Sequence, residues 1–219
     1  MIFRSRTEAG RKLAKKLAAH ADRKDVIVLG IPRGGVPVAF EIAGALGAPL
    51  DVFIARKLGV PGHEELAFGA VASGGVRFLD QETVEELRIS ASEIARVTEE
   101  ERKELERREK VYRGGRAALN VEGLTAILVD DGIATGASME AAIGALRQLK
   151  PARVVVAVPV APPSTCERLR SKLDDLVCLY APELFHAIGQ FYDDFSQVTD
   201  AEVMDLLQRA TRATAGRVA

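Results

Sequence analysis

Residues 126–138 read AILVDDGIATGAS, and this stretch decides the fold. The aliphatic run Ala126–Val129 shows no alternation of polar residues, which predicts a strand that is buried on both faces. Residues 132–138 predict a tight turn into a helix, because they are small and include two glycines. The hydroxyl side chains of this turn and the free N–H groups of the helix start suit an anion such as a phosphate monoester.

Two carboxylates, Asp130 and Asp131, stand directly at the end of the predicted strand. They would repel the same phosphate, so they fit as acceptors for neutral hydroxyls or as groups that help to hold a divalent cation. A diol beside a phosphate is the arrangement in ribose 5-phosphate. In a purely structural interpretation Asp131 begins a turn and Thr135 or Ser138 caps the helix, which leaves two adjacent acids without a reason. The segment contains neither a Walker pattern nor Gly-x-Gly-x-x-Gly.

Other aliphatic runs predict a parallel sheet around this strand. They lie at Val26–Leu29, Val52–Ala55, Val154–Val160 and Leu176–Tyr180. Helical patterns separate them at about 35–46, 137–149 and 164–172, and a basic helix near the start places Leu13 and Leu17 inward. We therefore predict an α/β fold with a doubly wound, mainly parallel sheet.

Two segments depart from this rhythm. The runs Gly69–Ala72 and Val76–Leu79, separated by Ser73-Gly74-Gly75, predict a hairpin at the edge of the sheet. Residues 80–113 predict a helical insertion. Its charged stretch at 99–110 is either a solvated helix face held by internal ion pairs, or an oligomer contact or active-site cover. We expect one domain over residues 1–219.

The segment at 126–138 resembles the signature of type I phosphoribosyltransferases that binds 5-phosphoribosyl 1-pyrophosphate (PRPP). The order of the other elements is similar to the core of that family over roughly residues 25–180. The resemblance implies that Asp130 and Asp131 contact the ribose hydroxyls. It also implies that the 5-phosphate is wrapped by Gly132, Ile133, Ala134, Thr135, Gly136, Ala137 and Ser138. Hypoxanthine-guanine members carry an Asp at the position of Ala134, whereas Ala there resembles the adenine and uracil branches.

A second Gly/Pro-rich loop, at residues 30–37, follows the first predicted strand and holds a single cation, Arg33. Ligands of such sheets bind outside the carboxyl ends of the strands, so the two loops are expected to converge. On its own the loop is equally consistent with an ordinary turn. Beside the Asp130 signature it resembles the family's pyrophosphate loop, which implies pyrophosphate contacts from Pro32, Arg33, Gly34 and Gly35 and a cis peptide bond between Pro32 and Arg33.

Arg56 and Lys57 follow the predicted strand Val52–Ala55 and begin a glycine-rich polar stretch. A pair of surface cations is one interpretation. Gly59, Pro61 and Gly62 cannot extend a helix, and the polar residues around them give no apolar face to bury, so residues 57–68 predict a mobile loop. In the resembled family a flexible loop here closes over PRPP, which implies that both cations stabilise the departing pyrophosphate.

Aromatic residues gather after the last predicted strand. Phe185, Phe191 and Tyr192 either pack the segment or face the aromatic ring of an acceptor base, because the segment leaves the same edge of the sheet as the phosphate loop.

Composition excludes several classes of partner. The 219 residues carry 30 Lys+Arg against 31 Asp+Glu, and 5% are aromatic, so we expect no nucleic-acid partner. The longest apolar stretch, Val154 to Pro163, is far below the ~18 residues of a membrane-spanning helix, so we expect no membrane partner. Cys166 and Cys178 show neither ligand spacing nor a disulfide framework, which predicts a reducing, cytoplasmic location.

The resemblance implies a phosphoribosyltransferase of nucleotide salvage, a glycosyltransferase that transfers 5-phosphoribosyl from PRPP to a small nitrogenous base and releases pyrophosphate. Mg²⁺ is the implied cofactor, carried by PRPP oxygens and water, with no direct protein ligand assigned. The alternative is a non-catalytic regulatory protein of the same fold that senses PRPP. The resemblance and the insertion are compatible with a homodimer.

Overall fold

The computed structural model describes residues 2–114 and 119–218, with the side chains of all of these except 64, 65 and 215–218. Five parallel strands form the main sheet. Numbered along the chain and given in spatial order, they are β2 (Leu50–Val52), β1 (Val26–Gly30), β6 (Thr125–Val129), β7 (Arg153–Val160) and β8 (Asp175–Tyr180). The predicted α/β architecture is confirmed.

Helices cover both faces of this sheet. One face packs against α1 (Arg6–Lys16), α2 (Gly35–Leu46) and α7 (Asp200–Val218), and the other against α5 (Ala137–Gln148) and α6 (Pro163–Arg170). Along β6, Ile127 and Val129 join the first core while Ala126 and Leu128 join the second, as the period of two in a strand requires. The doubly wound arrangement is therefore confirmed, and so is the inward position of Leu13 and Leu17.

The strand order places a topological switch between β1 and β6. The chain goes from β1 through α2 to β2 on one side, and from β6 through α5 and α6 to β7 and β8 on the other. Helices leave the two neighbouring strands toward opposite faces, which opens a crevice at their carboxyl ends.

A second, antiparallel sheet corrects part of the prediction. It contains β3 (Ala55–Val60), β4 (His63–Ala72) and β5 (Val76–Leu79), in that order. The predicted Ser73-Gly74-Gly75 turn does join two strands, but they belong to this separate sheet and not to the edge of the main one.

The predicted strand Val52–Ala55 is wrong because the chain changes sheets within it. Phe53 still donates its N–H to Gly30 O of the main sheet at 3.0 Å. Ile54 bonds instead to Ser73, accepting its N–H at 2.8 Å and donating to its Oγ at 3.1 Å. These two bonds attach the chain to the hairpin one residue before β3 begins.

The predicted loop at 57–68 is also wrong as an assignment of structure, since it consists of parts of β3 and β4. The three residues of this stretch that disfavour regular structure, Gly59, Pro61 and Gly62, lie at the turn and at an irregularity of the hairpin. Val60 pairs with His63 across a turn made of Pro61 and Gly62, and Gly62 has φ +80°. Gly59 lies where the register shifts, which is the usual place of a bulge.

The helical insertion is confirmed as α3 (Gln81–Glu86) and α4 (Ala91–Arg113). A capping box between Ser90 and Glu93 begins α4. Its buried residues Val97, Leu105 and Tyr112 face β3, β4 and α7, while most charges of 99–110 pair with one another on the outer side. The solvated-face interpretation thus holds for most of that stretch.

Among the described residues, the structure has no helix with the length and apolarity that crossing a membrane requires. The single domain over 1–219 stays a prediction, and Met1, residues 115–118 and Ala219 lie outside the described part.

Candidate active site

The two predicted ligand loops lie side by side because their strands are neighbours. Gly30 at the end of β1 pairs with Val129 at the end of β6. A Cβ atom on Gly35 would stand 2.5 Å from Val129 O and 2.9 Å from the Asp130 Cα, and one on Gly34 would overlap the Asp131 carboxylate. Only glycine permits this approach, so the backbone of one loop rests directly on the acids of the other.

The acid pair is anchored by a residue that the sequence did not single out. Arg6, the first residue of α1, donates from Nε to Asp131 Oδ2 at 2.7 Å and from Nη1 to Ser196 O at 2.8 Å. Its guanidinium also lies 4.0 Å from the ring centre of Phe195. Arg6 was one of several basic residues in a helical pattern, and the 125 residues that separate it from Asp131 left no local signal.

Burial governs the electrostatics of the pair. Asp131 is only 7% exposed, and Asp130 Oδ1 accepts the N–H of Asp131 at 2.9 Å. Desolvation, followed by the charge of Asp131, raises the pKa of Asp130 well above its usual range. Desolvation also raises the pKa of Asp131, and the hydrogen bond from Arg6 opposes this rise. The ligand-free site therefore holds two crowded acceptors that gain from hydroxyl donors.

The predicted phosphate loop ends at Gly136, which has φ +84° and is the N-cap of α5. Two side chains of α6 brace it, since Thr165 donates its hydroxyl to Ala134 O at 2.9 Å and Arg168 donates to Thr135 O. Ile133 has a different role from its predicted one, because its side chain is buried and its N–H donates to Val160 O at 2.9 Å. Residues 134–138 are left to offer N–H groups to an anion.

The predicted pyrophosphate loop has the cis peptide bond between Pro32 and Arg33 that the resemblance implies. The Arg33 side chain is partly exposed, and its Nη1 lies 3.8 Å from Asp200 Oδ1 at the start of α7. The hydroxyl of Tyr112 on α4 donates to the same oxygen at 2.6 Å. Burial, then this bond to Asp200, raises the pKa of Tyr112 to about 12.

Arg56 and Lys57 lie on β3 and not in a loop. Arg56 Nε donates to Glu101 Oε2 on α4 at 2.6 Å. Glu101 and Tyr112 are about 16 Å apart along the helix axis at ~1.5 Å per residue. In this conformation Arg56 is paired with Glu101 of α4, whereas Arg33 faces Asp200 of α7, so the two arginines have different counter-ions.

The comparisons agree with this geometry. The family model for the phosphoribosyl transferase domain matches residues 4–196. The chain belongs to the phosphoribosyl transferase domain family. It is 46% identical over 219 residues to the Mycobacterium tuberculosis protein named "Putative phosphoribosyl transferase Rv0571c", covering 99% of this chain and 49% of that protein. A second M. tuberculosis strain (CDC 1551 / Oshkosh) contributes a protein, MT0597, with the same figures. The chain therefore spans about half the length of the curated relatives it matches.

A solved structure is also closely similar. The crystal structure of TT1426 from Thermus thermophilus has a TM-score of 0.87 and 44% sequence identity. The match covers 95% of this chain and 99% of that one.

The predicted acceptor aromatics of this phosphoribosyl transferase domain are mainly packing residues. Phe191 and Tyr192 are buried in a small core with Phe3, and Phe185 packs on Phe191 with ring centres 5.3 Å apart. Tyr192 supports the acid pair instead, because its hydroxyl donates to Asp131 O at 2.6 Å. Phe195, which was not predicted, is 37% exposed and stacks on Tyr192.

Magnesium fits this site as an ion that is bound by the oxygens of a phosphate ligand. Within residues 2–114 and 119–218, no group of three or more His, Cys, Asp or Glu side chains is placed to hold a metal ion. Asp131 is engaged by Arg6, so chelation by both acids together does not fit. An ion carried on phosphate oxygens and water fits, since Mg²⁺ keeps several waters and takes few protein ligands.

Proposed function

We propose that the protein transfers the 5-phosphoribosyl group of PRPP to a small nitrogenous base and releases pyrophosphate. The observation that carries this proposal is the packing of Gly34 and Gly35 on Asp130 and Asp131 at the switch point of the sheet. A ribose that carries a phosphate on one side and a pyrophosphate on the other needs this arrangement of two loops around a pair of acceptors.

Each part of the site has a separate role in this proposal. Asp130 and Asp131 accept hydrogen bonds from the ribose hydroxyls, and the N–H groups of residues 134–138 hold the 5-phosphate at the start of α5. Arg33 and the amides of its loop contact the pyrophosphate, and Arg56 and Lys57 join them when the hairpin moves. Mg²⁺, when bound to PRPP, neutralises part of the charge of the leaving group.

The reaction needs positioning more than covalent chemistry. The bond between C1 of the ribose and the pyrophosphate oxygen breaks, its electron pair leaves with pyrophosphate, and a ring nitrogen of the base forms the new bond to C1. The nitrogen's proton goes to solvent or to the leaving group. Fixed charges around the cationic ribose supply the catalysis, as expected of a site with preorganised donors and acceptors.

The experiment that tests this proposal measures pyrophosphate release from PRPP and Mg²⁺ with a panel of purine, pyrimidine and pyridine bases. We expect turnover with one class of base and its loss in the Asp130→Asn/Asp131→Asn variant. The matched control is Asp205→Asn, which makes the same change in an exposed ion pair of α7. PRPP binding without pyrophosphate release from any base would favour the PRPP-sensing regulatory protein, which none of the comparisons above supports.

The remaining expectations belong with this proposal. A reducing, cytoplasmic location stays the prediction that the sequence makes. The protein's proposed partners are PRPP and the acceptor base, and a homodimer, the absence of a nucleic-acid partner and the absence of a membrane partner stay predictions.

A further inference from the structure

The insertion helix α4 is connected to both arginines that the proposed function assigns to pyrophosphate. It carries Glu101, the counter-ion of Arg56, and its Tyr112 bonds to Asp200, the counter-ion of Arg33. Most acids of its charged stretch pair with bases on α4 itself, as Glu104 does with Arg107 and Arg108 at 2.7 Å each. Glu101 differs because it reaches across to β3 and accepts from Arg56 at 2.6 Å. Both side chains of this pair are about two-thirds to three-quarters buried.

The second counter-ion, Asp200, belongs to α7 but is fastened by α4. The Tyr112 hydroxyl donates to Asp200 Oδ1 at 2.6 Å, and the same oxygen faces Arg33 Nη1 at 3.8 Å. This carboxylate is therefore fixed in front of the arginine of the cis-peptide loop.

We propose that Glu101 and Asp200 are positioning residues that hold Arg56 and Arg33 in the ligand-free protein, and that the pyrophosphate group takes their place. The proposal rests on the proposed function. Carboxylate and phosphate oxygens bind a guanidinium in the same planar geometry, so one replaces the other without a change in the donor. The insertion then sets how tightly pyrophosphate is held, and hence how readily it leaves.

The expected effect follows from the exchange. Since pyrophosphate must displace each carboxylate, removing the charge of Glu101 or Asp200 strengthens pyrophosphate binding. Ion pairs with this degree of exposure contribute modestly, which corresponds to roughly a two- to fivefold gain in affinity. The ribose and 5-phosphate subsite is unaffected, because neither carboxylate touches it.

Isothermal titration calorimetry with inorganic pyrophosphate and, separately, with ribose 5-phosphate tests this on the full chain in Mg²⁺ buffer. Glu101→Gln and Asp200→Asn should each bind pyrophosphate more tightly and ribose 5-phosphate as the wild type does. Glu104→Gln, three residues along α4 from Glu101, is the matched control and should change neither affinity. The gain of Glu101→Gln should vanish in the Arg56→Ala background.

The outcomes separate this inference from the proposed function. If the wild type binds neither ligand, the proposed function fails. If the wild type binds both, and Glu101→Gln and Asp200→Asn bind pyrophosphate no more tightly than it does, the counter-ion role is overturned. A gain that persists in the Arg56→Ala background, or that appears equally with ribose 5-phosphate, overturns it too. Thermal unfolding shows that each variant is folded, and Glu101→Ala serves as the second variant at that position.

Discussion

At the scale of single residues, the site is a compromise between burial and charge. Asp130 and Asp131 are adjacent carboxylates in a poorly solvated crevice, an arrangement that stabilises neither as an anion. Arg6 compensates one of them, and backbone N–H bonding compensates part of the other. Such a pair is retained at a cost in folding free energy, which is expected where the acids serve a ligand.

The first prediction concerns ligand affinity. Asp130→Asn and Asp131→Asn should each weaken PRPP binding tenfold or more, because a charge-assisted hydrogen bond to a hydroxyl contributes about 1.5–3 kcal/mol. Calorimetric titration measures this, with Asp205→Asn as the control of equal chemistry. Wild-type affinity in a folded Asp130→Asn/Asp131→Asn protein would contradict the ribose assignment.

The second prediction concerns stability. The pKa of Asp130 is raised in the folded state, so between its usual value of 3.8 and the raised value the folded protein binds more protons than the unfolded chain. The contribution of Asp130 to the free energy of unfolding therefore falls as pH rises through that window. Asp130→Asn removes this loss and should be at least as stable as the wild type at pH 7.

Urea unfolding at a series of pH values checks it. The advantage of Asp130→Asn should disappear as the pH falls below the usual value of 3.8, where the wild-type carboxyl becomes protonated in both states. Asp131→Asn should not share the advantage, because it leaves the buried Arg6 without its ion pair. A less stable Asp130→Asn protein at pH 7, or a difference that does not change with pH, would show that burial of this charge is not the governing effect.

At the scale of elements, close approach decides which residues the loops can contain. The turn from β1 into α2 lies against the end of β6, and the two strands are in direct register at Gly30 and Val129. Sequence patterns predicted both loops well, because glycines, acids and aliphatic strands are local signals. The division at Ile54 was not predictable, because its cause is Ser73, a partner from another part of the chain.

The third prediction uses two glycines of the same helix, α2. Gly35→Ala places a methyl group against Val129 O and the Asp130 backbone, and should destabilise the protein by about 1–3 kcal/mol and weaken PRPP binding. Gly44→Ala has open space and should stabilise it by about 0.5–1 kcal/mol with unchanged binding. Denaturant midpoints and PRPP titrations of both variants supply the comparison. Equal behaviour of the two variants would mean that the loops are looser than the structure shows.

At the scale of the whole molecule, the site is assembled from segments that are remote in sequence. Arg6 from α1 and Tyr192 from the aromatic segment hold Asp131, while α4 and α7 meet at Arg33. The sequence identified the two loops of the sheet but neither of these supports, because a single basic or aromatic residue carries no local sign of its partner. The sequence left two interpretations of Phe191 and Tyr192, packing and contact with the acceptor, and their burial favours packing.

The last prediction joins the two sheets. The hairpin β3–β4 packs on α4 and α5, and Arg56 is paired with Glu101 while Arg33 faces Asp200. We expect the cations of β3 to reach a pyrophosphate when the hairpin moves toward the main sheet. We expect the binding of magnesium-PRPP to draw the hairpin there and to exclude water from the cationic ribose. We expect the release of pyrophosphate to let the hairpin return.

Hydrogen exchange across residues 57–68 measures that movement. Protection should rise with magnesium-PRPP in the wild type and should not rise in Arg56→Ala/Lys57→Ala, whereas β7, which is buried throughout from Val154, should exchange equally in both. The variant retains the turn at Pro61 and Gly62, so a lost response reports the missing cations and not a lost hairpin. Exchange that stays unchanged at saturating ligand would show that the hairpin does not move on binding and that Arg56 forms only its ion pair with Glu101.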